Sequence, residues 1–340
     1  MGNLHPITRR LCMVAAFAAA AAGYGQSKIG TTAVPFLGIH VGPRSVSMGG
    51  ASAALGGDAS GLYYNPGSLS RSASSQFYAS YSNWLVDTRF SWMGAVIRIG
   101  EGALGLSLTQ LDYGEEEVTT VLQPDGTGEK WGARDMAVAL TYAHNLTDRF
   151  SLGGSVKMIQ TRVWNERASA FALDIGLLFR TQFHDMKLGM SISNFGTDLR
   201  MDGRDLYKRI DLDPDAAGNN EAIVSRLKTD DWPLPLFFRV GLSLDVIRAG
   251  DLRWTVACDA LRPSDNTETV HAGTEIGLYD RFFLRSGYKS LFREDSEEGL
   301  TLGCGLRLPA GGRLSLCLDY TYADFGLFKD VQMMAVGIQF

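Results

Sequence analysis

No stretch of this chain is long and apolar enough to cross a membrane as a helix. The longest apolar run, Leu11 to Ala22, holds twelve residues, against roughly 18 for a spanning helix. Cysteine is scarce, at four residues, and one of them, Cys12, lies near the N-terminus. The other three, Cys258, Cys304 and Cys317, are odd in number and show no CxxC spacing. They read as small packing residues rather than a disulfide framework or metal site. Histidine is scarce too, and His40, His144, His184 and His271 stand at no metal-ligand spacing. Basic residues are not in excess: 32 Lys and Arg face 37 Asp and Glu, which excludes a polybasic nucleic-acid binder. A hydrophobic fraction of 45% with only 20% charged residues excludes wholesale disorder. Substantial apolar content without long apolar runs is what alternating membrane strands leave.

Arg9 and Arg10 precede the apolar run, and Gly23-Tyr24-Gly25 follows it. A basic region, an apolar core and a small-residue zone predict a signal peptide over 1–25, cleaved near Gly25. An N-terminal anchor helix is the alternative, for which the run is short. Cys12 precedes the cleavage zone, so a lipoprotein site is not expected. The chain is expected to leave the cytoplasm.

From about residue 75 onward the hydrophobic signal has period two. Leu236, Phe238, Val240, Leu242, Leu244 and Val246 share one face, and Phe237, Arg239, Gly241, Ser243 and Asp245 the other. A strand segregates such sets and a helix scatters them. Fourteen such segments are expected, near 75–85, 89–99, 102–113, 134–145, 149–161, 168–180, 186–194, 235–248, 251–261, 266–278, 281–290, 297–309, 312–322 and 330–340. Most suit a tilted strand crossing a bilayer, which needs about 9–11 residues. Links after even strands are short, such as Gly100-Glu101 and Ala249-Gly250, whereas 114–133 and 195–234 follow odd ones. Short turns on one side and long loops on the other are the arrangement of an outer-membrane barrel. A secreted soluble β protein is the alternative.

A closed wall of that many strands is too wide for its own side chains to fill, so the apolar face is expected to meet lipid. The polar face then lines the lumen with Arg239, Asp245, Arg253, Asp259, Glu275, Arg285, Arg307 and Asp319, together with Lys157, Asp174 and Arg313. Trp84, Phe90, Tyr113, Phe171 and Tyr320 are expected in an aromatic girdle on the loop side, and Phe150, Tyr279 and Phe282 on the turn side. Phe340 ends the closing strand. On this reading Leu242→Arg is costly and Ser243→Arg, on the lumen face, is cheap.

Residues 26–74 do not alternate. They are rich in Gly, Ala and Ser, with short helices expected at 46–55 and 58–64. Asn65-Pro66-Gly67 is a turn signal. A compact hatch inside the barrel mouth is expected, with a lead-in on the periplasmic side as the alternative. Trp232, Pro233 and Pro235 are expected to shape the re-entry from the longest loop. The three domains are therefore signal peptide 1–25, hatch 26–74 and transmembrane barrel 75–340. Glycine pairs such as Gly49-Gly50 lack the lysine and the strand-to-helix context of a phosphate loop. The acidic cluster at 213–221 lacks EF-hand spacing and reads as a solvated loop, with calcium the alternative. No cofactor, no metal and no enzymatic activity are expected.

The stretch Val41 to Leu69, with Met48-Gly49-Gly50-Ala51, Asp58-Ala59-Ser60 and Tyr64-Asn65-Pro66-Gly67, resembles the hatch region of the PorV/PorQ family, which is related to FadL-type transporters. Trp84-Leu85-Val86-Asp87, Pro124-Asp125-Gly126-Thr127-Gly128, Leu188 to Thr197 and Trp232-Pro233-Leu234-Pro235-Leu236 extend the resemblance over essentially 28–340. At Gly67 many relatives carry alanine. The resemblance implies a fourteen-stranded FadL-like barrel in the outer membrane that assists type IX secretion by binding translocon components or secreted cargo. The alternative is a FadL-like importer of long-chain fatty acids or other hydrophobic molecules, which requires an apolar pocket between hatch and wall and a sideways opening. A structural role with a sealed lumen is a third reading.

Overall fold

The computed structural model describes residues 29–211, 215, 222–293, 296–328 and 330–340. The signal-peptide expectation for 1–25 and most of the acidic cluster at 213–221 lie outside the described residues. Fourteen long strands form the wall. They are β1 (Gln76–Asn83), β2 (Arg89–Ile99), β3 (Gly102–Glu117), β4 (Lys130–Asn145), β5 (Phe150–Val163), β6 (Glu166–Arg180) and β7 (Lys187–Gly196). After the longest loop come β8 (Phe237–Ala249), β9 (Leu252–Pro263), β10 (Thr269–Leu278), β11 (Phe282–Leu291), β12 (Leu300–Gly311), β13 (Leu314–Asp324) and β14 (Asp330–Gln339).

Each strand pairs antiparallel with its neighbours in chain order, including β7 with β8 across the long loop. The wall closes where Gln76 of β1 meets Gln339 of β14. Alternation sets the two faces. In β14, Val331, Met333 and Ala335 are buried inside, whereas Met334, Val336 and Ile338 are exposed outside. Leu242, Leu284, Leu302 and Ile175 belong to the same exposed apolar exterior. A continuous apolar outer face on a closed antiparallel wall is the membrane-barrel solution, because every backbone group pairs within the wall. The links break the parity pattern in two places. Trp164-Asn165, on the loop side, is a two-residue turn, because β5 and β6 stay paired up to Val163 and Glu166. The turn-side link 181–186 is the longer one.

The interior is not the uniformly polar lining that alternation suggests. On β2 to β6 it carries Phe90, Trp92, Val96, Ala137, Ile159, Ala168, Ala170 and Ala172, all buried. On β8 to β13 it carries Arg239, Asp259, Glu275 and Arg285, also buried. The hatch fills the lumen and gives the apolar sector something to pack against. Phe36, Val41, Leu62, Tyr64 and Leu69 of the hatch join Phe90, Trp92 and Ile159 of the wall in one core. Phe90 and Trp84 therefore belong to the interior rather than to an outer girdle, with Trp84 edge-on to Phe325 at 5.2 Å. Arg313 does not line the lumen; it sits exposed in the tight turn between β12 and β13.

The hatch threads the lumen from the loop side to the turn side. At its upper end the Thr32 hydroxyl donates to Asp265 at 2.6 Å and the Ala33 amide donates to the Pro233 carbonyl at 2.9 Å. At its lower end Arg71 donates to Ser151 Oγ at 2.5 Å and to the Asp148 and Thr147 carbonyls at 2.8 and 2.7 Å. Its helices are single turns: α1 (Pro43–Ser47), α2 (Gly61–Tyr64) and two 3₁₀ segments, Pro35–Gly38 and Pro66–Arg71. The helix expected over 46–55 is absent beyond Ser47, because Gly49 and Gly50 take φ of 68° and 84°, which ends a helix. The helix expected over 58–64 shrinks to α2. Asn65-Pro66-Gly67 joins α2 to the second 3₁₀ segment, and the two pack together where Gly61 lies against Ser68 and Leu69. Asn65 Oδ1 accepts from the Gly67 amide at 3.0 Å, and Pro66 opens the 3₁₀ segment.

Candidate functional site

The hatch is held on its charged side by Glu275, whose side chain is completely buried. Arg44 of α1 reaches it at 2.8 Å, Arg285 at 2.7 Å and Arg253 at 3.1 Å. Arg44 also pairs with Asp58 of the hatch at 2.9 Å, and Arg285 with Asp319 at 2.5 Å. Tyr78 donates to Asp319 at 2.9 Å. One connected set of charge-assisted bonds thus runs from β1 through β13, β11 and β10 into the hatch. A carboxylate buried among three guanidiniums is stable only while its partners stay in place.

Two more wall residues grip the hatch. Asp259 Oδ2 accepts from the Ser52 and Ala53 amides, both at 2.7 Å. Arg239 lies with its guanidinium 5.2 Å from the Tyr63 ring centre and 5.0 Å from that of Phe237, a cation–π arrangement. Asn65, fully buried, donates to the Ala53 carbonyl at 2.6 Å and to the Leu177 carbonyl of β6 at 2.9 Å. Gly67 lies so close to β6 that a Cβ there would stand 2.5 Å from the Gly176 carbonyl oxygen. Ser243 is likewise occupied: its hydroxyl donates to the Ala54 carbonyl at 2.9 Å. The expectation that Ser243→Arg is cheap is therefore overturned, because the hatch takes the space.

The hatch divides the lumen. On the loop side a funnel of about 310 Å³ is bounded by Pro35, Ile39, Phe237, Leu261, Lys289 and Glu298 among others. At its foot Trp84 and His40 also border a narrow cleft of about 20 Å³, lined by Val46, Ala323, Phe325, Val331 and Met333. That cleft lies between hatch and wall and holds no more than a water-sized probe. His40 is buried beside it, 3.1 Å from Tyr64 Oη through Nδ1 and 5.7 Å from the His271 ring centre. Burial, and then the charges of Lys289, His271 and Arg239, hold the His40 imidazole well below its usual range. On the turn side a second chamber of about 360 Å³ lies under the hatch and is walled by charged side chains. The two chambers share no lining residue.

No family model matches the chain, and no curated protein matches it in sequence. Its fold has clear counterparts among solved structures. It aligns over 88% of its length with the toluene transporter TbuX of Ralstonia pickettii, covering 97% of that chain with a TM-score of 0.52 at 12% identity. A FadL homologue of Pseudomonas aeruginosa aligns equally far, with 98% of that chain covered, a TM-score of 0.52 and 11% identity. The monoaromatic hydrocarbon channel CymD gives a TM-score of 0.55 at 13% identity, over 88% of this chain and 96% of that one.

The fold is FadL-like. At such identities the likeness speaks for the architecture alone, and the PorV/PorQ resemblance has no family match behind it. Within the FadL-like barrel the eight polar residues singled out from the sequence fall on the interior. Arg253, Glu275, Arg285 and Asp319 meet in the clamp. Asp245 and Arg307 border the turn-side chamber, and Asp259 and Arg239 grip the hatch. Trp232 forms a two-residue bridge to Leu199 and stays exposed. Pro233 and Pro235 offer carbonyls to Ala33 and to Asn194. Arg44 and Arg71, which carry much of the hatch attachment, are not legible as site residues. Each is a lone arginine in a segment without periodicity. The weak signal available was that such isolated charges stand amid otherwise small, neutral residues.

Proposed function

We propose that the chain is an outer-membrane channel for small hydrophobic molecules, closed by its hatch in the conformation described. The apolar cleft at the foot of the loop-side funnel carries this reading. Val46 of the hatch packs there against Ala323, Phe325 and Val331, so a shift of α1 that loosens the Arg44–Glu275 pair opens an apolar path. The solved barrels of similar fold include a toluene transporter and a monoaromatic hydrocarbon channel, which supports the choice of ligand class.

A second feature bears on exit into the membrane. The ladder between β6 and β7 slips at Asp174, where the pairing jumps from Leu173–Phe195 to Ile175–Ile192. Asp174 there accepts from the Asn194 amide at 2.8 Å and pairs with Lys157 at 2.7 Å. Above the slip β6 keeps only the Leu173–Phe195 and Ala172–Gly196 pairs and the Thr197-to-Phe171 backbone bond, and the exposed Phe171 and Phe195 face outward. This interruption is the place in the wall suited to a sideways opening.

The test is uptake of labelled toluene or oleate by proteoliposomes holding the full chain. It is compared with a Val46→Cys/Val331→Cys variant whose other cysteines are serine. Uptake that stops when the pair is oxidised and returns on reduction supports the channel. Uptake no greater than in empty vesicles refutes it. The secretion-partner reading keeps one observation in its favour, the exposed hairpin Tyr207–Ile210 and Ile223–Arg226 with Tyr207 and Val224 turned to solvent. Recovery of a translocon component on that hairpin, lost in Tyr207→Ser/Val224→Ser, is its test.

A further inference from the structure

The turn-side chamber has a charge balance opposite to that of the chain. Nine basic side chains and four carboxylates line it, in a protein of formal net charge −5. The four carboxylates are already committed. Glu275 and Asp58 take Arg44, Glu275 also takes Arg253 and Arg285, Asp319 shares Arg285, and Asp245 takes Arg248 at 2.7 Å. That leaves Arg71, Arg149, Arg180, Lys187 and Arg307 outside any ion pair among the described residues, although Asp245 lies within electrostatic reach of Lys187, and Asp148 and Glu101 within that of Arg71.

These surplus cations are not scattered. Arg180 lies within electrostatic reach of both Arg71 and Lys187. Arg307 stands on the other wall of the chamber, its guanidinium 5.3 Å from the centre of the buried Phe283 ring. Arg285 at 5.3 Å and Arg253 at 5.9 Å share that ring. Nε of Arg307 is buried and has no hydrogen-bond partner. Like charges gathered in a concave, partly desolvated space repel one another unless an anion joins them. Planar guanidinium forks match phosphate and carboxylate oxygens in two-pronged fashion. A chamber of about 360 Å³ has room for a small anion with part of its hydration shell.

We propose that the turn-side chamber is a binding site for a small multivalent oxyanion, held between Arg307 on one wall and Arg180 with Lys187 on the other. The ligand bears phosphate or carboxylate groups. It comes either from solution or as the head group of an anionic lipid reaching the barrel rim. This site is chemically unlike the apolar cleft between hatch and wall and does not rest on the channel reading.

The test uses the full chain in zwitterionic detergent and labelled pyrophosphate in equilibrium dialysis. One saturable site per chain is expected, weakened at least tenfold by Arg307→Gln and by the double change Arg180→Gln/Lys187→Gln. Arg89→Gln, an exposed position at the loop-side end of β2, leaves it unchanged. Retained heat-modifiable migration on electrophoresis shows that each variant is folded. Displacement by short-chain phosphatidylglycerol identifies a lipid head group as the source, and displacement by citrate alone identifies a soluble one. The proposal falls if folded protein takes up no pyrophosphate. It also falls if Arg89→Gln weakens binding as much as Arg307→Gln, or if several equivalent ions bind and survive Arg307→Gln.

Discussion

Asn65 joins three things that the chain places far apart: the Gly67 amide, the Ala53 carbonyl of the hatch and the Leu177 carbonyl of the wall. Asn65→Ala takes the side-chain donor from the buried Ala53 carbonyl and a further donor from the part-buried Leu177 carbonyl, and is expected to cost roughly 1–3 kcal/mol. Asn65→Asp is expected to cost more, since it turns an acceptor toward both carbonyls; urea unfolding in detergent checks the order. Gly67→Ala pushes a methyl into the Gly176 carbonyl of β6 and is expected to cost about 1–3 kcal/mol by overpacking. Leu242 and Ser243 separate two kinds of damage. Leu242→Arg puts a cation on the apolar exterior, and roughly 2–4 kcal/mol of destabilisation is expected in a membrane-folding assay. Ser243→Arg is expected to leave insertion intact and to displace the hatch at Ala54, read as new conductance. The outward face of Leu242 is legible because alternation is local. The contact of Ser243 is not, since it depends on Ala54, 189 residues away.

The strands could be read from the sequence because period two and turn residues are properties of a few neighbouring positions. The hatch was legible as a segment without a period, but its helices were not, because they are set by contacts with the wall. The apolar sector of the lumen was hidden for a related reason. Ala137, Ala168, Ala170 and Ala172 are small enough to suit either face; alternation turns them inward, and the apolar hatch packed over them makes that sector a core. The clamp was half visible: Glu275 and its strand neighbours stood out as lumen charges, but their hatch partner Arg44 did not. Removing the shared carboxylate tests the clamp as a unit. Glu275→Gln leaves Arg44, Arg253 and Arg285 facing one another with only Asp58 and Asp319 in reach. Breaking such a buried set typically costs about 3–5 kcal/mol. The expected result is a less stable hatch and higher bilayer conductance, with strand content unchanged by circular dichroism.

Taken together, the barrel is a rigid wall around an element attached by polar bonds on one side and apolar packing on the other. Such an element answers to any change that charges its apolar side. His40 stands where its apolar and polar sides meet, between the funnel and the cleft and beside His271. Its imidazole is held well below the usual value of 6.5 by burial first and by Lys289, His271 and Arg239 after it. Tyr64 Oη donates to the Val41 carbonyl at 3.2 Å, so it accepts from His40 Nδ1–H, and the ring is seated in its neutral form. A histidine whose seated pKa is depressed contributes stability above its free value and loses it as the pH falls through and below that value. The released hatch takes up the proton that the seated hatch refuses. Conductance of the reconstituted barrel is therefore expected to rise as the pH drops below about 6.5, with little change between pH 7 and 8. In His40→Gln, which keeps a donor for Tyr64 but cannot take a charge, the rise is expected to flatten. An equal rise in that variant would place the acid response elsewhere in the lumen.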